Sequence, residues 1–150
     1  MLDRIVLQAE KECYAPNEER QVFKHTYDAV EMVRPLAKTH DGPSCWAMAL
    51  SKGGKIIAID RVPNGYREGL PNGSRLFAKF GLLADAERLL VFHTHASGNS
   101  EPTQWDHFLT TCLQKSLDSV GIKLEDHVVI GRKDYFSYAD HRLLTGSKGG

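Results

Sequence analysis

At 150 residues, 41% hydrophobic and 25% charged, the chain has the composition of one ordinary globular domain, large enough to bury a core without disulfides. Its 19 basic and 19 acidic side chains cancel, so no net field draws it to nucleic acid or to an anionic membrane. Cys13, Cys45 and Cys112 are odd in number and lie far apart with no CxxC pair. That leaves out thiolate zinc knuckles and dithiol redox chemistry, and buried thiols of a reducing compartment are the expectation.

The opening Met-Leu-Asp-Arg-Ile-Val lacks a cationic stretch followed by a long apolar run, so no signal peptide is expected. The run Arg88–His93 is too short to span a bilayer, and a cytoplasmic protein is expected. Residues 3–10 can form a leading strand and Tyr14–Arg20 a loop, making residues 1–20 an extension ahead of a single domain over 21–144. A helix is predicted over Thr26–Lys38, with Thr26 as N-cap and Pro35 kinking it or ending it near Arg34. Ser44–Leu50 and Lys55–Asp60 flank a glycine turn and read as a hairpin. Residues 62–73 read as a long loop, and Ser74 as the cap of a helix over 75–86.

Leu89–Phe92 is wholly apolar, the mark of a strand buried on both faces. A helix follows from Thr103 to about Val120, closed by Gly121. Strands over Asp126–Ile130 and Asp134–Tyr138 come next, then a frayed tail over 145–150. Helices and strands interleave around one mixed sheet, so the class is α/β or α+β.

His93 and His95 end the apolar strand two residues apart, and the strand period turns both imidazoles to one face. Two histidines with Asp106, in the first turn of the next helix, make a three-ligand zinc site with an open fourth position. A second reading stands beside it: a hydrogen-bonded histidine pair next to a helix whose Thr103-Gln-Trp-Asp106 start fits a capping box. Asp126 and His127 read as structural, Trp105 as packing or a wall of the site, and Ser97 lacks the Gly-x-Ser-x-Gly setting of a nucleophile.

The run His93-Thr-His95-Ala-Ser-Gly-Asn-Ser-Glu-Pro-Thr103-Gln-Trp-Asp106 resembles the signature of the JAB/MPN+ (JAMM) metalloproteases, His-x-His-Pro followed by Ser-x-x-Asp. It is most similar to their RadC-like branch, with Ala96 in place of proline and Thr103 in place of serine. Arg75–Leu82 with Ala86, Gly121–Gly131 and Tyr135–Asp140 extend the similarity across residues 44–144. The resemblance implies a mixed sheet flanked by helices, of cytidine-deaminase-like architecture, and one zinc ion per chain on His93, His95 and Asp106. It also implies hydrolysis of a peptide or isopeptide bond in a protein or peptide substrate, a ubiquitin-like conjugate among them. Thr103 then takes the place of the serine that hydrogen-bonds the oxyanion, a role worth about 3 kcal/mol.

The family's general-base glutamate aligns with Ser44, whose hydroxyl is no base near neutral pH. Asp41, Glu31 and Glu68 are the carboxylates from nearby segments that could replace it. Two other functions stay open. One is a metal-binding domain without peptidase activity that acts as an interaction module. The other is the DNA-repair or mobile-element role associated with RadC-like proteins, for which no basic, aromatic-rich stripe is visible.

Overall fold

The computed structural model describes residues 3–4, 21–63 and 73–146. The expected leading strand (save Asp3 and Arg4), the Tyr14–Arg20 loop, Glu68 and most of the tail lie outside them. The described elements are α1 (Thr26–Lys38), β1 (Cys45–Leu50), β2 (Ile56–Arg61), α2 (Gly73–Leu83), β3 (Arg88–Thr94), α3 (Gln104–Ser119), β4 (Lys123–Ile130) and β5 (Tyr135–Ser137). The five strands form one mixed sheet in the order β2-β1-β3-β4-β5. Among the described residues only β3 and β4 run parallel, and α3 is the crossover that a parallel pair needs.

Helices cover both faces. On one side Ala29, Val30 and Val33 of α1 pack on Trp46, Met48, Leu50, Leu90, Phe92, Val128 and Ile130. On the other, Phe77 of α2 and Leu109, Leu113 and Leu117 of α3 pack on Ala47, Ala49, Leu89, Val91 and Leu124. Double coverage explains why β1 and the centre of β3 are apolar at every position: each residue meets a core whichever way it points.

Four local readings change. Thr26 is the first helical residue, not the cap; His25 stands at N-cap in extended conformation, and the Thr26 hydroxyl donates to Asp126 Oδ2 at 2.8 Å. Pro35 does not end α1, which runs on to Lys38. Pro35 and Glu31, the residue whose carbonyl it leaves without an N–H, both lie on the exposed face, while Leu36 and Ala37 still pack on the core. Ser74 lies inside α2, where its Oγ accepts from Ser116 Oγ of α3 at 3.2 Å. That helix stops at Leu83, before the expected residue 86, because Asp85 turns to φ 55° and the N–H of Ala86 reaches back to the carbonyl of Gly81 at 2.9 Å. Gly121 (φ 76°) ends α3 in the same way and as expected, with the Ile122 N–H bonded to the Leu117 carbonyl.

Candidate metal centre

His93, on β3, points to the α3 side of the sheet and is fully buried. His95 lies just past the strand end, where its Nδ1 sits 2.9 Å from the carbonyl of Asn99. The loop between them and α3 is held against the turn after β4. Arg132 N–H donates to the Gly98 carbonyl at 3.0 Å, and a Cβ at Gly131 would stand only 3.1 Å from the backbone N of Ser100. This docking swings the start of α3 back over the strand end and brings Asp106, also fully buried, to both histidines.

His93 Nε2 is 2.7 Å from Asp106 Oδ1, His95 Nε2 is 2.9 Å from Asp106 Oδ2, and the two Nε2 atoms are 3.2 Å apart. Among the described residues these three form the group able to hold a metal ion. The capping box is present as well: Thr103 N–H donates to Asp106 Oδ2 at 2.6 Å, and Asp106 N–H to Thr103 Oγ1 at 3.3 Å. The two sequence readings of Asp106 are therefore not rivals. One carboxylate both caps α3 and faces the histidines.

The hydrogen count shows whether the group suits a cation. A carbonyl only accepts, so His95 Nδ1 donates to Asn99, and that bond turns Nε2 toward the Asp106 carboxylate. The ring nitrogen left unengaged by the backbone thus lies 2.9 Å from a carboxylate oxygen and 3.2 Å from His93 Nε2. Two imidazoles and one carboxylate are a donor set suited to zinc and similar divalent ions. Burial holds His93 toward its neutral, ligand-competent form, outweighing the hydrogen bond and charge of Asp106. Burial pushes the Asp106 carboxyl upward, but the hydrogen bond and charge of His93, the Thr103 N–H and the charge of His95 outweigh it and hold the group below the usual carboxylate range.

Further partners stand behind these three side chains. His93 Nδ1 is 2.9 Å from His127 Nε2 on β4, and His127 Nδ1 is 2.6 Å from Thr110 Oγ1, which donates to the Asp106 carbonyl at 2.7 Å. Of the three side chains only His95 is partly exposed, and it helps to line a cleft of about 470 Å³. Arg34, Lys38, His40 and Arg132 line that cleft, with no acidic side chain among the lining residues.

A profile of the RadC-like JAB domain matches residues 23–143. The chain belongs to the RadC-like JAB domain family. It is 38% identical over 121 residues to a UPF0758 protein of Chlorobaculum tepidum, covering 81% of this chain and 54% of that one. With a UPF0758 protein of Porphyromonas gingivalis it shares 33% over 117 residues, 77% of this chain and 52% of the relative. With one of Actinobacillus pleuropneumoniae serotype 5b it shares 29% over 124 residues, 83% and 56% respectively. The chain spans about half the length of the curated relatives it matches. Its five-stranded mixed sheet flanked by three helices agrees with a JAB-like fold.

The RadC-like JAB domain places the other sequence candidates unevenly. Ser44 lies on the α1 side, accepting from Trp46 Nε1 at 2.9 Å. On β1 it is Cys45 that pairs with His93 and shares its face. By the alternation of the strand, a base reaching the ligands from this edge would come from 43 or 45, which are Pro43 and Cys45. Glu31 is exposed on α1, 3.9 Å from Arg34 Nε. Asp41 is exposed on the segment whose neighbours His40, Gly42 and Pro43 line the cleft. Trp105 is half exposed, its ring against Phe108.

His127 and Asp126, both read as structural, part ways. Asp126 is a bracket on the α1 side, accepting from Thr26, Ser137 and the Ala139 N–H; burial raises its carboxyl above the usual range against the pull of those bonds. His127 joins the hydrogen-bonded chain behind His93. Spacing gives one clue to that network: Thr110 stands one helical turn after Asp106 and so shares its face.

Proposed function

We propose that this RadC-like JAB domain is a zinc-dependent peptidase that hydrolyses a peptide or isopeptide bond in a protein substrate, with ubiquitin-like conjugates as the isopeptide candidates. The observation that carries this reading is the convergence of two imidazole Nε2 atoms on the buried Asp106 carboxylate, at 2.7 and 2.9 Å, in a group able to hold a metal ion. Zinc held by His93, His95 and Asp106 supplies Lewis acidity toward an amide carbonyl and toward water. The chain's own groups supply the rest. Thr103, at the mouth of α3, offers its hydroxyl proton to a developing oxyanion while its oxygen keeps accepting from Asp106 N–H. The cleft beside His95 admits an extended chain, and its Arg34, Lys38 and Arg132, with no acidic side chain among the lining residues, favour acidic residues flanking the scissile bond. Asp41, on the cleft's border, is better placed than Glu31 to act as the base.

The test is zinc content by elemental analysis of wild type and Asp106→Asn, followed by incubation of the zinc-loaded protein with isopeptide-linked conjugates. Zinc near one per chain, lost in the variant, together with cleavage that Asp41→Asn abolishes, is the expected result. A second reading, a metal-binding interaction module, is favoured by the absence of a carboxylate at 43 or 45. Bound zinc with every conjugate left intact would select it.

A further inference from the structure

We infer that His127 is a positioning residue of the metal centre, providing the buried acceptor that the Nδ1–H of a zinc-bound His93 requires. The inference rests on the reading of His93, His95 and Asp106 as ligands.

Protons decide the matter. The linked groups are Asp106 Oδ1, His93, His127, Thr110 Oγ1 and the Asp106 carbonyl, with contacts of 2.7, 2.9, 2.6 and 2.7 Å in that order. Two arrangements satisfy this chain. In one, the Thr110 hydroxyl donates to His127 Nδ1, His127 Nε2–H to His93 Nδ1, and His93 Nε2–H to the Asp106 carboxylate. In the other, every donor is reversed: the Thr110 hydroxyl donates to the Asp106 carbonyl, His127 Nδ1–H to Thr110, and His93 Nδ1–H to His127 Nε2. Only the second leaves a lone pair on His93 Nε2, the atom that faces His95 and Asp106. Both arrangements hold the same number of protons, so zinc selects one without charging either ring. The Thr110 hydroxyl lies within hydrogen-bond reach of the Asp106 carbonyl, so the helix that carries Asp106 also offers the acceptor that the second arrangement needs.

His127 is fully buried, and its ring stacks on Tyr138 at 4.9 Å with an interplanar angle of 9°, which holds the plane in which its nitrogens lie. It reaches this face through the bulge in the β3–β4 pairing. Leu89 pairs with Leu124 but Leu90 with Asp126, so the extra residue flips the alternation and turns His127 beside Val91, toward His93.

The experiment is a zinc titration against a chromophoric chelator for wild type, His127→Leu, His127→Gln and Thr110→Val, with ring ¹⁵N spectra of the zinc-loaded wild type. Groups that orient metal-ligating histidines are typically worth about 10–100-fold in affinity, and a loss of that size is expected for His127→Leu. His127→Gln, whose amide oxygen can accept from His93, is expected to recover most of it, which a general packing defect would not allow. Thr110→Val should lose affinity in the same direction, and it serves if the leucine variant does not fold. The spectra should show His93 and His127 both protonated at Nδ1. A folded His127→Leu that binds zinc like wild type, or an Nε2–H tautomer for His127 in the zinc-loaded protein, would overturn the inference. A wild type that takes up no zinc would overturn the ligand reading and this inference with it.

Discussion

Asp106→Asn separates the two tasks of one side chain. The amide oxygen can keep accepting from Thr103 N–H, now 2.6 Å away, and the amide nitrogen can donate to His93 Nε2 in place of the 2.7 Å carboxylate contact. In chelator, therefore, the variant exchanges charge-assisted bonds for neutral ones and removes a negative charge from a helix N-terminus, a loss of about 1 kcal/mol. With zinc at a hundredfold excess over its dissociation constant, wild type gains about 2.7 kcal/mol. For a chain of this size that raises the melting temperature by roughly 5–10 °C. Thermal unfolding of both proteins in chelator and in zinc reads the two terms apart. The zinc shift should vanish in the variant while its melting point in chelator stays within a few degrees of wild type. Thr103→Ala is the mirror experiment: it removes the oxygen that accepts from Asp106 N–H, should cost about 1 kcal/mol, and should leave the zinc shift in place. An equal zinc shift in Asp106→Asn would refute the ligand assignment. A large loss in chelator would show that capping is the main task of Asp106.

Three further outcomes follow from the same geometry. His93 and His127 both have pKa values lowered by burial, so the unfolded chain takes up protons first. Stability of the metal-free protein should be full above about pH 6.5 and fall as pH drops below it, by at most about 1.4 kcal/mol per pH unit for each ring. Denaturant titrations in chelator across that range test this, and a flat profile would show that neither ring is held neutral. Asp126→Ala strips the acceptor from Thr26, Ser137 and Ala139 together and should cost about 3 kcal/mol or more, whereas Asp126→Asn, against hydroxyls that can turn, should cost about 1. Gly131→Ala puts a methyl against the Asp134 carboxylate and 3.1 Å from the Ser100 backbone. It should weaken zinc binding more than it lowers the melting point in chelator, because the strain falls on the loop between His95 and Asp106.

What the sequence made legible was local. The bounds of α1 follow from apolar spacing, the buried β3 from its unbroken apolar run, and the grouping of His93, His95 and Asp106 from a strand end, a short loop and a helix start. Features set by distant partners were not legible. Thr26 has every mark of an N-cap, yet its hydroxyl goes to a carboxylate 100 residues away. β4 starts at Lys123 rather than Asp126 because the polar Lys123 and Glu125 flank a buried Leu124 ahead of the bulge. Without that bulge the alternation that buries Leu124 beside Leu89 would turn His127 away from His93, and no periodicity announces a bulge.

The crossover from β3 through α3 to β4 carries His93, His95, Asp106, Thr110 and His127, while Gly131, Arg132 and Tyr138 support them from beyond β4. Its closing contacts join residues 2, 11 and 34 apart in sequence, whereas the Asp126 bracket to α1 must close a loop of 100. On loop-closure entropy alone the wider bracket is disfavoured by about 1 kcal/mol relative to the longest of the three. The cluster's own contacts are thus ones a chain can close early. Segments ahead of α1 can be exchanged in engineered fusions without touching it, whereas anything joined after β4 must keep Gly131 and Tyr138 in place.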